Sequence, residues 1–389
     1  MEVMMGLSRR TVVRAIGGTG LALVGAGGLF AVTRTPERAL APWAAIEDPP
    51  PADVRLDAFR HAILAPNPHN RQPWLIKLVG VDEALIFCDL ERRLPETDPF
   101  DRQILIGFGC FLELARIAAA ERGFKMDISA FPDGLPAERL DRRPIARLRF
   151  VANPSTTADP LFGYIPVRRS SKQPFDTTRP VEDRILASLV SLSSSAARIA
   201  TTADAALVET LRTVTWDAWM IELNTARTWQ ETVDLMRIGR SEIEANPDGV
   251  SIGGPILEAM ALAGQFSREQ SARPGTAAHN GSISRYRPIM ATGMAYAWIT
   301  TEGNARTDQL AVGQTFVRMN LDAARKGLGF HPISQALQEF KEMEPAYRKI
   351  TGALGARPGQ RVQMLARLGY GSLPGRTPRW PLRSKILGA

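Results

Sequence analysis

The feature that most constrains the fold is a long helical stretch that occurs twice in the chain. Residues 101–124 and 308–330 each combine an acidic start, apolar residues at helical spacing and a final Gly-Phe pair. Gly107 and Gly313 are 206 residues apart, and the two terminal phenylalanines have the same separation. Matching landmarks at one spacing predict a duplicated unit. Two unrelated amphipathic helices that are alike by chance are the alternative.

The rest of the chain mixes helical and strand-like patterns. Apolar residues recur at helical spacing in some stretches and alternate with polar residues in others. Short, mostly non-consecutive strands mixed with helices indicate an α+β sandwich. The expected helices are 56–64, 101–122, 181–192, 204–223, 225–245, 255–266 and 308–326, and the expected strands are 75–79, 84–88, 126–130, 145–151, 296–300 and 362–368.

These patterns divide the chain into three parts. Residues 1–45 are interpreted as a signal and linker, residues 50–164 as a first half and residues 165–389 as a second, related half. Within and just beyond the first part, the stretch 34–54 is rich in Pro and Ala and is interpreted as the linker. Residues 249–284, which are rich in Gly, Ser, Ala and Arg, are expected to form an insertion or lid.

The N-terminus carries an export signature. Arg9 and Arg10 precede residues 15–32, an uncharged stretch that contains six glycines. That stretch is short and glycine-rich for a membrane span, and paired arginines before a weakly apolar core are typical of a twin-arginine export signal. The alternatives are an ordinary secretory signal or an N-terminal anchor, and the Ala-Leu-Ala triplet at 39–41 is the candidate cleavage site. We therefore expect a periplasmic protein, or one tethered to the inner membrane.

The amino-acid composition is typical of a soluble globular protein with a basic surface. Its 389 residues, 44% hydrophobic and 23% charged, suffice for one large or two modest domains. The net charge of +8 is not concentrated in one run, and no nucleic-acid motif occurs, so we expect an anionic ligand rather than a nucleic acid. Cys88 and Cys110 lie in apolar stretches and are expected to be buried, with a disulfide as the alternative. The histidines show no zinc-ligand spacing.

Residues 65–74, with the sequence APNPHNRQPW, form the most informative candidate loop. Its prolines bar a regular helix, and two asparagines offer short amide arms. A rigid polar connector between a helix and a strand suits recognition of a flat, polar-edged ligand. A Pro/Asn turn that only closes the helix is the alternative. The candidate ligand contacts are Asn67, Pro68, Asn70 and Gln72.

Residues 168–176, with the sequence RRSSKQPFD, form a second candidate site segment. Guanidinium groups match phosphate oxygens as planar forks, and hydroxyls add neutral donors. The alternative is a solvated basic patch. The candidate phosphate contacts are Arg168, Arg169 and Ser171.

Residues 331–335, with the sequence HPISQ, form a third candidate segment. Pro332 fixes the backbone, which allows Ile333, Ser334 and Gln335 to present main-chain N–H groups to the edge of a flat ring. A plain turn between a helix and a strand is the alternative. No G-x-G-x-x-G follows a strand pattern, so a Rossmann dinucleotide site is not expected.

These three segments resemble the nitroreductase family of flavoproteins. Residues 65–74 are similar to its A-P-S-x-x-N-x-Q-P-W signature, with Asn67 in place of the serine. The second segment is similar to the family's R-R-S-x-R-x-F opening, and the third to its Pro-Ile-x-Gly loop, with Gln335 in place of the glycine. The resemblance covers roughly residues 55–385 and implies a three-layer α+β sandwich that binds FMN.

The resemblance also implies roles for particular residues. Arg169 and Ser171 would contact the FMN phosphate. The family uses basic residues near its C-terminus for the same phosphate, which makes Arg379 and Arg383 candidates. In the family one subunit supplies the arginine-serine opening and the other supplies the Gln-Pro-Trp loop. Here the first half has the loop and the second half has the opening, so the resemblance implies a monomeric pseudo-dimer with one FMN.

The function implied by the resemblance is that of an FMN-dependent oxidoreductase. NAD(P)H or another donor would reduce the flavin, and a nitro compound, quinone or similar acceptor would take the electrons, without a catalytic acid or base from the protein. The rival interpretation is an FMN-binding storage protein without turnover, because the insertion at 249–284 is long enough to cap the flavin. The other expected partner is the twin-arginine translocase, and no metal is expected.

Overall fold

The computed structural model describes residues 34–388, so the arginine pair at 9–10 and the uncharged run at 15–32 lie outside the described residues. The helices are α1 (Glu37–Ala44), α2 (Val54–Ala62), α3 (Arg102–Glu121), α4 (Asp183–Val190), α5 (Ala205–Asn224), α6 (Ala226–Asp234), α7 (Gly239–Ala245), α8 (Pro255–Leu262), α9 (Arg268–Ala272), α10 (Ala277–Ala291), α11 (Arg306–Arg325) and α12 (Glu344–Ala353). The strands are β1 (Trp74–Val79), β2 (Glu83–Cys88), β3 (Phe124–Ala130), β4 (Ala146–Ala152), β5 (Arg198–Thr202), β6 (Met236–Ile238), β7 (Val250–Ile252), β8 (Ala295–Thr301), β9 (Gly329–Pro332) and β10 (Arg361–Gly369).

Two four-stranded antiparallel sheets organise the two halves. The first has the order β1-β2-β4-β3 and the second has the order β5-β8-β10-β9. In each sheet the second strand is followed by a 20-residue helix, α3 or α11, that leads to an edge strand. The two sheets therefore share one topology, and the predicted α+β class is confirmed by these mixed layers.

The two long helices cross at a pair of glycines. A Cβ on Gly109 would lie 2.1 Å from the Leu310 carbonyl oxygen, and a Cβ on Gly313 would lie 2.0 Å from the Ile106 carbonyl oxygen. Only glycine permits such close backbone approach. The contacts are reciprocal at a spacing of 204 residues rather than 206. The predicted pairing of Gly107 with Gly313 is therefore wrong, since the helices match at 204 and the turn after α11 is longer.

Helix α3 is the centre of the core. It is long and apolar enough for a membrane span by length and composition, but nearly all of it is buried inside the protein. Cys88 and Cys110 are buried and free, as expected for small apolar residues, rather than joined in a disulfide. Trp74 of β1 stacks on Phe111 of α3 with ring centroids 5.0 Å apart. The Gln-Pro-Trp end of loop 65–74 is thereby anchored to the core.

Three sequence-based assignments need correction. The linker assigned to 34–54 contains α1, whose Trp43 is fully buried, because this indole packs against the C-terminal tail. The single helix expected at 225–245 is broken into α6, β6 and α7. The break is set by Gly239, at φ 77°, and by the parallel pairing of β6 with β7. The residues expected to form an insertion or lid are ordered and include the helices α8 and α9 and the start of α10. The elements α12, β5 and β9 were not predicted.

Candidate functional site

Loop 65–74 connects α2 to β1 and is held by its own asparagines. The Asn67 side-chain oxygen accepts a hydrogen bond from the Gln72 main-chain N–H at 2.7 Å. The Asn70 side chain donates to the backbone of the C-terminal tail at 3.0 Å and accepts from Arg379 at 2.6 Å. Asn67 therefore shapes the loop, and Asn70 joins it to the tail.

The loop lies directly on α3. Pro68 begins a 3₁₀ turn, and a Cβ placed on Gly107 would lie 3.0 Å from the Asn67 Cβ and 3.5 Å from the Pro68 Cδ. Gly107 thus leaves room for the loop. This role of Gly107 differs from that of Gly313, with which the predicted repeat paired it.

Three non-glycine residues of the loop have left-handed backbone: His69 at φ 46°, Asn70 at 51° and Gln72 at 49°. Such conformations cost about 1–3 kcal/mol each and persist only where surrounding contacts hold them. Gln72 is fully buried; its Nε2 group donates to the Pro247 carbonyl at 2.7 Å, and its Oε1 atom accepts from the Trp380 N–H at 2.8 Å. Both ends of this carboxamide are bonded within the protein, so its ligand contact stays a prediction.

Two arginines meet at the Leu64 carbonyl just after α2, and a third lies beside them. Arg168 and Arg379 both donate to the Leu64 carbonyl oxygen, at 2.8 and 3.2 Å. Arg169 donates to the carbonyls of Pro166 and Arg168, each at 2.8 Å. Arg168 and Arg379 are only 2% and 3% exposed. We call Arg168, Arg169 and Arg379 the arginine cluster.

The arginine cluster has no counter-charge within residues 34–388. None of its guanidinium groups forms an ion pair with a carboxylate, and the Nε atom of each is buried without a hydrogen-bond partner. Burial lowers the pKa of Arg168 to about 10, and burial with the charges of Arg168 and Arg169 lowers that of Arg379 well below its usual value. Buried like charges cost free energy unless they are paired. The arrangement is therefore that of a site suited to an anion.

Trp43 of α1 forms the aromatic side of the cluster. The Cζ atoms of Arg169 and Arg379 lie 4.9 and 5.5 Å from its ring centroid, which is within the range of cation–π contacts. The indole N–H donates to the Thr377 carbonyl at 2.7 Å. Sequence reasoning missed Trp43 because it was placed in a linker. A tryptophan in an Ala-rich stretch was the available signal.

Ser171 lies on the segment that supplies two of the arginines. It is buried, its N–H donates to the Phe330 carbonyl at 2.8 Å, and its carbonyl accepts from Arg367 at 3.1 Å. Arg367 also donates to His331 Nδ1 at 2.8 Å. Burial lowers the pKa of Arg367 to about 10, and burial with the Arg367 charge lowers that of His331. The backbone at Ser171 is thereby fixed to the second sheet.

The loop predicted after β9 is more ordered than expected. The strand extends to Pro332, and the Ile333 N–H donates to a carbonyl of β10 at 2.9 Å. That N–H is bonded within the protein, so the ligand contact of Ile333 stays a prediction. Ser334 donates from its hydroxyl to the Gln103 side chain of α3 at 2.9 Å, and Gln335 begins a 3₁₀ turn.

The C-terminal tail brings one of its two candidate arginines to the site. Arg379 belongs to the arginine cluster, whereas Arg383 is exposed in the 3₁₀ turn Leu382–Lys385. Sequence reasoning missed Lys385, which is buried and donates to the Gln72 carbonyl at 2.7 Å. Burial lowers the pKa of this lysine to about 7.

A second group of three arginines, which includes Arg71 of loop 65–74, surrounds a carboxylate. Asp248 forms ion pairs with Arg71 at 3.4 Å, with Arg237 at 2.9 Å and with Arg92. Burial would raise the pKa of Asp248, but the charges of these arginines lower it. We call the four residues the Asp248 cluster. The main-chain groups on either side of Asp248 hydrogen-bond to loop 65–74.

A buried polar chain leads away from the loop. His69 Nε2 lies 3.1 Å from the Thr232 hydroxyl, which donates to Glu222 at 3.4 Å. Gln338 donates to the other oxygen of Glu222 at 3.0 Å. Burial raises the pKa of Glu222 to about 7 and lowers that of His69 to about 4. Both groups are therefore held close to their neutral forms, and sequence reasoning identified neither.

Comparison with known proteins gives sequence relatives with nitroreductase names. No protein-family model matches the chain. A Mycobacterium tuberculosis protein named "Putative NAD(P)H nitroreductase Rv3131" is 24% identical over 323 residues, which cover 82% of this chain and 86% of that protein. Another, "Putative NAD(P)H nitroreductase acg" of the same species, is 35% identical over 82 residues, or 21% of this chain and 24% of the relative. The chain thus spans about a quarter of the length of that relative.

Solved structures show a weaker likeness. A nitroreductase with bound FMN from Desulfitobacterium hafniense has 12% sequence identity and a TM-score of 0.34, with 60% of this chain and 100% of that chain covered. At this TM-score the comparison carries no conclusion about this chain. The site described above rests on the contacts within this chain.

Proposed function

We propose that the protein is an FMN-dependent oxidoreductase whose arginine cluster binds the FMN phosphate. The observation that carries this proposal is three arginines, two of them almost fully buried, without a carboxylate partner in the described residues. A phosphate dianion would supply the missing counter-charge, and guanidinium forks match its oxygens. When bound, FMN would supply the redox chemistry, while this chain would hold its phosphate and exclude water.

The electron donor and acceptor are proposed from the sequence relatives. Their names describe NAD(P)H nitroreductases, and by that analogy we propose NAD(P)H or another reductant as donor. A nitro compound, a quinone or a similar small molecule would be the acceptor. The chain itself would need no catalytic acid or base, and its task would be to position the flavin.

We also propose that the two halves act as a fused pair of subunits with one flavin between them. The support is the shared strand order of the two sheets and the contact of the arginine cluster, which belongs to the second half, with a carbonyl of the first half. The Leu64 carbonyl belongs to the first half, and Arg168 and Arg379 belong to the second. The second half carries residues 192–200 where its own loop is expected, without a Gln-Pro-Trp sequence.

The test is the flavin content of the purified protein. Flavin released by heat should be FMN, at a ratio near one per chain. Riboflavin has the same ring but lacks the phosphate, so it should bind the apoprotein at least about 10-fold more weakly than FMN. Equal affinity for the two would remove the arginine cluster from the site, and two FMN molecules per chain would refute the single-site proposal.

A second candidate function is FMN storage without turnover. It is favoured by the packing of residues 247–249 onto loop 65–74, where Gln72 donates to Pro247 and Gly249 donates to Asn70. This contact brings the start of the insertion against the predicted flavin loop. Steady-state oxidation of NADPH with a nitroaromatic acceptor separates the two functions, because a fully FMN-loaded protein that does not turn over would be a storage protein.

Export by the twin-arginine route remains a proposal that rests on Arg9 and Arg10. A flavoprotein exported this way would fold around FMN before transport, and it would reside in the periplasm or on that face of the inner membrane. Replacing Arg9 and Arg10 with lysine should trap flavin-loaded precursor in the cytoplasm. Because the general secretory route needs only positive charge, normal export of the double-lysine variant would contradict the proposal.

A further inference from the structure

Helix α8 presents an apolar stripe to solvent. Ile256 and Leu262 are each 76% exposed. Ala259 is also exposed and lies between them, so that the three share one face at a spacing of three residues. Glu258 is the only residue of α8 that is buried. The apolar face of a surface helix ordinarily points inward, so an apolar stripe that faces solvent is unusual.

This stripe differs from the other exposed apolar residues of the described chain. Val81 and Leu135 are 88% and 56% exposed, but each is an isolated residue in a turn or loop. Scattered single residues of this kind are ordinary on protein surfaces, whereas a contiguous apolar face marks an interaction site. Gly254 at φ 105° and Gly264 at φ 69° flank α8 and separate it from the preceding and following segments.

The chain enters the described structure beside this helix. Arg34 lies 3.5 Å from Glu258, in an ion pair on the inward face of α8. Residues 15–32, which lie outside the described residues, contain no charged side chain and precede Arg34 by one residue in sequence. The described chain therefore begins at the helix that carries the apolar stripe.

We propose that the outer face of α8 rests on a lipid bilayer, beside the point where the described chain begins. A helix with an exposed apolar stripe suits the boundary between headgroups and acyl chains. The net charge of +8 favours an anionic lipid surface. A groove of about 270 Å³ that Pro255 of α8 shares with Arg376 and Pro378 of the tail would then open beside the membrane. This surface is independent of the proposed flavin chemistry.

The test uses a fluorescent label on the full chain. Because Cys88 and Cys110 are buried, a cysteine introduced by Ala259→Cys can be labelled selectively with an environment-sensitive dye. Vesicles of phosphatidylethanolamine and phosphatidylglycerol that contain brominated acyl chains should quench this label. A label at Val81→Cys is the control and should be unaffected, because an uncharged N-terminal run alone would tether the molecule without burying either position.

Paired variants sharpen the result. Ile256→Glu with Leu262→Glu should abolish the quenching at position 259, whereas Val81→Glu with Leu135→Glu should leave it unchanged. Both pairs alter exposed residues, and unchanged thermal unfolding would confirm that the variants fold. Three outcomes would overturn the proposal: no quenching at position 259, shielding of that label without vesicles, and shielding that grows with protein concentration. The second would show that residues 15–32 cover α8, and the third that a second copy does.

Discussion

The two groups of three arginines differ in one respect, which is whether a carboxylate pairs with them. In the Asp248 cluster, Arg71, Arg92 and Arg237 share a buried carboxylate, which is held ionised by their charges. In the arginine cluster, Arg168, Arg169 and Arg379 donate only to carbonyl, amide and hydroxyl oxygens within the described residues. The first group has a carboxylate partner inside the protein. The second has none within the described residues.

This difference separates a structural cluster from a binding cluster. A buried charge with a fixed partner contributes to the fold, and removing that partner leaves uncompensated charge in the interior. A buried charge without a partner makes folding less favourable until a ligand supplies it. Mutations in the two clusters should therefore move stability and FMN affinity in different ways.

The largest effect is expected for Asp248→Asn. This change keeps the size of the side chain but leaves Arg71, Arg92 and Arg237 without their carboxylate, and we expect a loss of about 3–5 kcal/mol in the free energy of unfolding. Urea unfolding measures it. The control is Asp141→Asn, which removes an exposed partner of Arg143 and should cost less than about 1 kcal/mol. Equal losses in the two variants would contradict the structural role of the Asp248 cluster.

Glu222 extends the comparison to an unpaired buried carboxylate. Its pKa of about 7 in the folded protein lies above its ordinary value of 4.5, because of burial and, to a lesser extent, the nearby Glu231 charge. The native state thus binds the extra proton. The contribution of Glu222 to the free energy of unfolding is fully present below pH 4.5 and is lost as the pH rises through 7.

Glu222→Gln should remove that loss. Relative to the parent, the variant should gain up to about 3 kcal/mol at pH 8 and much less at pH 5, as measured by urea unfolding at both values. Glu209→Gln on the same helix is the control, because Glu209 is exposed and should give no such pH dependence. A gain of the same size at pH 5 and pH 8 would show that Glu222 is ionised in the folded protein at both.

Arg169→Ala tests the unpaired cluster directly. Arg169 donates only to backbone carbonyls of its own segment, so its loss should leave the stability of the apoprotein nearly unchanged. FMN affinity should fall by roughly 10- to 100-fold, or about 1.5–3 kcal/mol, as measured by titration of the apoprotein. Arg383→Ala, which removes an exposed arginine of the tail, should have no effect. Unchanged FMN affinity in the Arg169 variant would assign this arginine to the surface.

The sequence predicted the parts of the fold that depend on local periodicity. The expected helix 101–122 and strand 84–88 match α3 and β2 within one or two residues, because their apolar spacing is regular. The break at Gly239 depends on the pairing of β6 with β7, and the burial of Trp43 depends on the tail. The first contact pairs Met236 with Val250 and the second joins Trp43 to Thr377, so patterns within a single helix or strand did not indicate either.

In the candidate site, too, the sequence predicted some residues and missed others. Motif resemblance identified Arg168, Arg169 and Arg379, which the structure brings together, although it also selected the exposed Arg383. It did not identify Asp248 or Glu222, since a lone carboxylate in sequence gives no sign of what surrounds it. Which arginines have a carboxylate partner is decided by packing between segments far apart in the chain, and this information distinguishes the two clusters.

The smallest effect is expected for Ser171→Ala. The resemblance assigns its hydroxyl to the FMN phosphate, and a hydroxyl brings a neutral donor where Arg169 brings a charge. We therefore expect a loss in FMN affinity of about 0.5–1.5 kcal/mol, or roughly 2- to 13-fold. Ser170→Ala is the matched control, because it removes the neighbouring hydroxyl, which was not assigned to the ligand. If the two variants bind FMN equally, the Ser171 hydroxyl has no part in phosphate binding, and the buried backbone of Ser171, bonded to Phe330 and Arg367, is its only contribution to the site.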